Sequence, residues 1–115
     1  MKFPIALLLT ALTASVAAND YEFDMYLTAN PNEGACSTEP EHIADSGEKG
    51  CASYFLHGAA SAWKLKNLKS GCTVNFYSDT QCKDKLDWID GKSPKGKCKE
   101  IPGFTAARAF EVKCS

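Results

Sequence analysis

Groups that commonly carry out catalysis are scarce in this sequence. His42 and His57 are the only histidines among 115 residues, and Arg108 is the only arginine. Histidine is the usual general acid or base, because its ordinary pKa lies near neutral pH. No Gly-x-Ser-x-Gly, His-Glu-x-x-His or phosphate-cradling glycine loop occurs either. We therefore expect a protein that is not an enzyme.

Metal-binding, glycosylation and membrane-spanning motifs are also absent. There is no Cys-x-x-Cys pair, and the two histidines are far apart in sequence, so neither zinc nor another cofactor is expected. No Asn-x-Ser/Thr sequon occurs, so N-glycosylation is not expected. A spanning helix needs about 20 apolar residues, and no stretch after residue 18 supplies them. We therefore expect no transmembrane segment.

The first 18 residues have the pattern of a secretory signal peptide. Lys2 supplies a minimal positive charge, residues 5–16 are apolar, and Val16-Ala17-Ala18 forms a small-residue cleavage site. Cleavage after Ala18 leaves residues 19–115, which suffice for a single domain. The sequence thus predicts a secreted, extracellular protein.

All six cysteines lie after the predicted cleavage site, at positions 36, 51, 72, 82, 98 and 114. An even number of cysteines in a small secreted chain indicates a disulfide framework. A chain of this length buries only about 60–65 % of its unfolded surface, so its core alone is marginal. Three bridges at about 2–4 kcal/mol each would supply the missing stability.

Alternation of apolar and polar residues predicts several short strands. In residues 72–77 one face carries Cys72, Val74 and Phe76, and the other face is polar or aromatic. Strands are likewise predicted at residues 21–27, 63–66, 85–90 and 107–114. Residues 35–50 are predicted to be an exposed acidic loop, and residues 52–56 a short strand or one helical turn. Together these elements predict an all-β, disulfide-stapled Greek-key sandwich or barrel.

The last strand is predicted to lie antiparallel to the strand at residues 72–77. Cys114 then falls opposite Cys72, Val112 opposite Val74, and Phe110 opposite Phe76. All three pairs share the buried face, as an antiparallel ladder requires. The fourth strand of a Greek key returns beside the first in the same way.

This register leads to the disulfide prediction. A bridge needs Cα atoms within about 7 Å, which directly opposed strand residues satisfy, so Cys72 is predicted to pair with Cys114. A Cys36–Cys51 bridge would close the acidic loop, which leaves Cys82 to pair with Cys98. The alternative pairs Cys72 with Cys82 and Cys98 with Cys114.

Two stretches resemble known families. Val-Asn-Phe-Tyr-Ser-Asp at residues 74–79 resembles the opening hairpin of a βγ-crystallin Greek-key motif, in which an aromatic pair and an acidic residue lead into a folded-over turn. The acidic calcium-binding signature of that family is missing. The layout of residues 71–82 and 110–114 is similar to that of small secreted cysteine-rich fungal proteins. This resemblance implies a candidate effector or toxin-like protein without a defined chemistry.

The two halves of the chain differ in charge. Residues 19–62 carry eight acids and one base, whereas residues 63–115 carry six acids and eleven bases. Such asymmetry indicates either a basic binding face or two halves that neutralise each other on folding. Lys64, Lys66 and Lys69, together with the outward-facing Tyr77, are the predicted binding residues.

The function predicted is binding to an extracellular target by a monomeric, non-enzymatic, effector- or toxin-like protein. Its partner would be an extracellular protein or an anionic surface such as phospholipid headgroups or a cell-wall polymer. Nucleic acid is not expected, because the chain is exported and its net charge is −1. The alternative is a small secreted hydrolase such as a ribonuclease, in which His57, a glutamate and Arg108 converge on a phosphate.

Overall fold

The chain forms two antiparallel sheets of four strands each. A computed structural model describes residues 19–27, 36–53, 59–102 and 106–115. Its strands are β1 (Tyr21–Leu27), β2 (Glu41–Asp45), β3 (Lys49–Ala52), β4 (Ala60–Leu68), β5 (Cys72–Tyr77), β6 (Lys85–Ile89), β7 (Cys98–Glu100) and β8 (Ala109–Cys114). Sheet A has the order β2-β1-β4-β7 and sheet B the order β3-β8-β5-β6. The predicted all-β fold is confirmed, and the described ranges contain no helix.

Large aromatic side chains join the two sheets at the centre of the sandwich. The ring of Phe23 on β1 lies 5.7 Å, centroid to centroid, from those of both Phe76 on β5 and Phe110 on β8. Trp63 on β4 stacks on Phe76 at 6.4 Å. All four are at most 2 % exposed. Because alternate residues of these strands point to one face, their apolar side chains meet between the sheets and are removed from water.

The predicted register between β5 and β8 is confirmed. Cys72 lies opposite Cys114, Val74 opposite Val112, and Phe76 opposite Phe110. The Cys72–Cys114 bridge joins the first of these pairs, with a Cα–Cα distance of 4.0 Å. A slip by one residue would turn every buried side chain of β8 to the outer face. The apolar pairs and the bridge therefore specify the same alignment.

The other two predicted bridges are wrong. Cys36 pairs with Cys98 and Cys51 with Cys82, and the Cα atoms are 5.9 Å apart in both bridges. The expected Cys36–Cys51 and Cys82–Cys98 pairs do not form, nor does the alternative set. Residues 36–53 are not one closed loop, because β2 joins β1 in sheet A while β3 joins β8 in sheet B. The two cysteines of this segment therefore belong to different sheets.

Both corrected bridges tie a connecting segment to a sheet. The Cys36–Cys98 bridge links the segment before β2, at one edge of sheet A, to β7 at the other edge. The Cys51–Cys82 bridge links β3, at one edge of sheet B, to the loop that leads into β6 at the other. Because the Cα atoms of each bridge are only 5.9 Å apart, the connecting segment itself must reach the distant strand before the bridge can form.

Three strands were missed by the sequence analysis, and all three are edge strands. β2 and β7 border sheet A, and β3 borders sheet B. In β2 only Ile43 is buried, and in β7 no residue is. Edge strands often carry charged side chains, because only one of their sides is paired. Their sequences therefore resemble polar loops. Residues 54–56, for which a strand or helical turn was predicted, lie outside the described residues.

Candidate functional site

The predicted binding residues do not form one site. Lys64 and Lys66 lie on β4, where they alternate with the buried Trp63 and Leu65 and so face outward from sheet A. Lys69 lies in the turn after β4, and its backbone N–H donates to the Asp20 carbonyl at 2.7 Å. The predicted basic outer face of β4 is confirmed, but Lys69 lies beyond the end of the strand.

Tyr77 belongs to the other sheet and is not an exposed surface residue. It is 8 % exposed, and its hydroxyl donates to Glu111 Oε1 at 2.5 Å. Burial, followed by the hydrogen bond to Glu111, raises the pKa of Tyr77 to about 12. The expectation that Tyr77 is an exposed surface residue is therefore wrong, whereas its predicted role in binding stays a prediction.

The loop that follows β5 is folded around Asp79. Asp79 accepts hydrogen bonds from the backbone N–H groups of Gln81, Lys83 and Asp84 at 3.0–3.3 Å. These bonds, led by the one from Asp84, lower the pKa of the Asp79 carboxyl. The loop then reaches across sheet B to Cys51 through Cys82, and so passes the end of β5 at Tyr77.

The outer face of sheet A carries a cluster of charged side chains. Asp24 is 5 % exposed, and its carboxylate lies 2.7 Å from His42 Nδ1 and 3.5 Å from Lys66 Nζ. The other ring nitrogen of His42 lies 3.2 Å from Glu22. Lys66 therefore balances a buried carboxylate, while its own side chain stays 47 % exposed.

A second group of lysines stands beside β4. The segment after β6 bonds to β4, where Gly96 N–H donates to the Leu65 carbonyl at 2.7 Å and Lys64 lies opposite Cys98. We use the term basic edge for five exposed lysines on β6, β7 and their connection: Lys85, Lys92, Lys95, Lys97 and Lys99. The three ion pairs in the described part of the chain all involve His42 or Lys66. No described carboxylate therefore pairs with a lysine of the basic edge.

The two sheets bring these lysines to one side of the molecule. Trp63 Nε1–H on β4 donates to Asp87 Oδ2 on β6 at 3.0 Å, so β4 lies over β6. β7 borders β4 in sheet A, and β6 is the edge of sheet B. The strands β6 and β7 are therefore neighbouring edges, joined by residues 90–97.

The opposite side of the sandwich is acidic. It is formed by β2 and β3, and residues 39–49 contain four acids, one lysine and one histidine. The charge asymmetry of the sequence is thus neutralised only where β1 meets β4, through Lys66 and Asp24. It persists as a difference between the two edges. Electrostatic fields of this kind orient a molecule toward a charged partner.

The predicted binding residues did not include Trp88 or the lysines of the basic edge. Trp88 on β6 is 50 % exposed, and among the described residues it is the one large apolar side chain that is exposed. Lys85 Nζ lies 4.9 Å from the centroid of its ring. The sequence does contain a signal for a basic surface here, because residues 91–99 contain four lysines and no acid. What placed this run beside Lys64 was the pairing of β7 with β4.

Of the two residues named for the catalytic alternative, the described part of the chain contains only Arg108. Arg108 is exposed just before β8, and its backbone N–H donates to the Tyr77 carbonyl at 2.8 Å. His57 lies outside the described residues, as do residues 1–18 with the predicted signal peptide. Within the described ranges, no group of three or more His, Cys, Asp or Glu side chains is arranged to hold a metal ion.

Comparisons with known proteins give no match: no family model, no curated protein and no solved structure corresponds to this chain. Among the described residues there is also no helix with the length and apolarity needed to cross a membrane. The function of this chain is therefore inferred from its own geometry.

Proposed function

We propose that this is a secreted, non-enzymatic binding protein that attaches to an anionic surface through the basic edge. One observation carries the proposal: β7 and the residues before it run along β4, with Lys95 bridged to Leu65 and Lys99 opposite Trp63, and the ion pairs of the described residues involve neither of these lysines. Secretion is supported by three disulfides in a small β protein, which are typical of oxidising compartments.

The spacing of the lysines favours a partner with repeated negative charge. Lys95 and Lys97 precede β7, but the Cα atoms of residues two apart are never separated by more than about 7 Å, which is shorter than the Debye length of about 8 Å at physiological ionic strength. The fields of Lys95, Lys97 and Lys99 therefore add at the surface. The acidic edge formed by β2 and β3 would be repelled by the same partner, so attachment should occur in one orientation.

The effector- or toxin-like character of the proposal comes from the sequence resemblance. Residues 71–82 and 110–114 share the layout of small secreted cysteine-rich fungal proteins. The loop folded around Asp79 supports the comparison with the opening hairpin of a βγ-crystallin motif. Attachment to a charged surface is compatible with such a role, because it concentrates a small secreted protein at its target.

Binding to anionic surfaces tests this proposal directly. The mature oxidised protein would be titrated with phosphatidylserine vesicles and with a uronic-acid polysaccharide, at about 50 mM and about 300 mM salt, a range over which screening changes strongly. We expect the combined Lys95→Ala, Lys97→Ala and Lys99→Ala variant to lose most of its affinity.

The matched control is Lys113→Ala together with Lys69→Ala, which removes exposed lysines outside the basic edge. This variant should bind as the unchanged protein does. The proposal is wrong if no anionic surface is bound, or if the two variants bind equally well.

The ribonuclease alternative has a separate test. The mature protein would be incubated with RNA, and cleavage that is lost in a His57→Ala variant would favour catalysis over binding. No contact among the described residues supports this alternative, since Arg108 faces solvent before β8.

A further inference from the structure

We propose that the anionic partner is an acidic polysaccharide and that Trp88 stacks on one of its sugar rings. This inference rests on the proposed binding function of the basic edge and adds the chemical class of the partner. Its basis is an exposed indole on β6 with the ammonium group of Lys85, a member of the basic edge, 4.9 Å from the centroid of its ring.

The exposure of Trp88 is unusual for its residue type. Half of the side chain is open to solvent, whereas Trp63, the other tryptophan, is 2 % exposed. Tryptophan is among the residues most enriched at binding hot spots, because its rigid ring supplies a large contact area at a small entropic cost. A tryptophan left on the outside of a well-packed sandwich therefore indicates a contact with a ligand.

The indole is also held in one orientation. Its Nε1–H donates to Asp90 Oδ2 at 3.2 Å, and Lys85 Nζ lies 4.9 Å from the ring centroid. Asp90 is itself fixed, because its other carboxylate oxygen accepts from the backbone N–H of Lys92 at 2.9 Å. A ring oriented in this way before binding loses little freedom when a ligand stacks on it.

The neighbours of Trp88 match the groups of an acidic sugar. A sugar ring has an apolar C–H face that packs on an aromatic ring, and its hydroxyl groups donate to carboxylates such as that of Asp90. A carboxylate or sulfate on the same sugar would pair with Lys85 or Lys92.

A lipid surface fits the same residues less well. A protein that inserts into the headgroup region presents a broad apolar face of several large side chains. In the described part of the chain, Trp88 is the one exposed large apolar residue. A single side chain does not make a broad apolar face.

The test separates sugar stacking from charge. An oligomer of galacturonic acid supplies sugar rings with carboxylates, and polyacrylate supplies carboxylates without rings. We expect Trp88→Ala to weaken binding of the oligogalacturonate about fivefold, as the loss of one aromatic contact predicts, and to leave polyacrylate binding unchanged. Trp88→Tyr should restore most of the affinity for the sugar, because it keeps an aromatic face.

Tryptophan fluorescence tests whether the oligogalacturonate binds at Trp88. Since Trp63 is buried, a change in tryptophan fluorescence on adding the oligogalacturonate should come from Trp88 and vanish in a Trp88→Phe variant. Circular dichroism of each variant checks that the fold is kept, which we expect for an exposed position.

The outcomes distinguish this inference from the proposed function. If the triple lysine variant loses both polyanions but Trp88→Ala binds the oligogalacturonate normally, the sugar-stacking site is wrong and the basic edge stands. The site is also wrong if Trp88→Ala weakens both ligands equally, or if phosphatidylserine vesicles are bound more tightly than the oligogalacturonate. If the unchanged protein binds neither polyanion nor vesicles, both proposals are wrong.

Discussion

Removal of the Cys36–Cys98 bridge tests the link between the fold and the basic edge. β7 has only three residues, none of them buried. Its attachments are the ladder to β4 and this bridge, which closes a sequence separation of 62 residues. In the chain-entropy relation, a loop of this length contributes about 4 kcal/mol. That is a large part of the 5–15 kcal/mol by which domains are typically stable.

The variant Cys36→Ser with Cys98→Ser should therefore unfold at a much lower urea concentration. With a slope of about 1–2 kcal/mol per molar urea, the midpoint should fall by about 2–4 M. We also expect the affinity for an acidic polysaccharide to drop under conditions where circular dichroism still reports a folded protein, because β7 is no longer held beside β4.

The matched control is Cys51→Ser with Cys82→Ser, which opens a separation of 31 residues in sheet B. Halving the loop changes the entropic contribution by only about 0.6 kcal/mol, so the two variants should be destabilised almost equally. Only the first should lose polyanion binding. Equal binding by both variants would show that the bridge does not position the basic edge, and a stability loss below about 1 kcal/mol would refute the loop-closure argument.

Three further predictions concern single side chains. The free energy of unfolding should fall between about pH 10 and pH 12, because folded Tyr77, with its pKa raised from 10.0 to about 12, keeps a proton that the unfolded chain loses; a Tyr77→Phe variant, compared by urea titration at each pH, should lack this component. Trp63→Phe should cost about 1–3 kcal/mol in urea unfolding, because it leaves the Asp87 carboxylate without its indole donor, and an unchanged midpoint would contradict this bond. Asp79→Ala should speed amide hydrogen exchange in the loop after β5, since three backbone N–H groups lose their acceptor; unaltered exchange there would show that another contact holds the loop.

The central strands and the β5–β8 register could be predicted from the sequence. Val74, Phe76, Phe110 and Val112 alternate with polar residues, and a period-2 pattern permits only one alignment that buries all four. The buried face of a strand is a local property, because each residue's side is set by its position along the chain. The Cys72–Cys114 bridge was predicted for the same reason.

The candidate site was only partly predictable. Lys64 and Lys66 were found because they alternate with buried residues on one strand. In the structure the two lysines differ in their contacts, because Lys66 contacts the buried Asp24. The exposure of Tyr77 was misjudged because alternation along a strand shows which side a residue faces, but not whether other parts of the chain bury that side.

By itself, the sequence determined the all-β class, the buried faces of the central strands, the register that joins Cys72 to Cys114 and the unequal charge of the two halves. Only the tertiary structure decided which edges border one another and how the remaining four cysteines pair. It also decided that Trp88 lies beside a lysine of the basic edge. The physical reason is that edge strands such as β2, β3 and β7 bury almost nothing and so carry no local signal. Their places depend on backbone hydrogen bonds and bridges between residues that are distant in sequence.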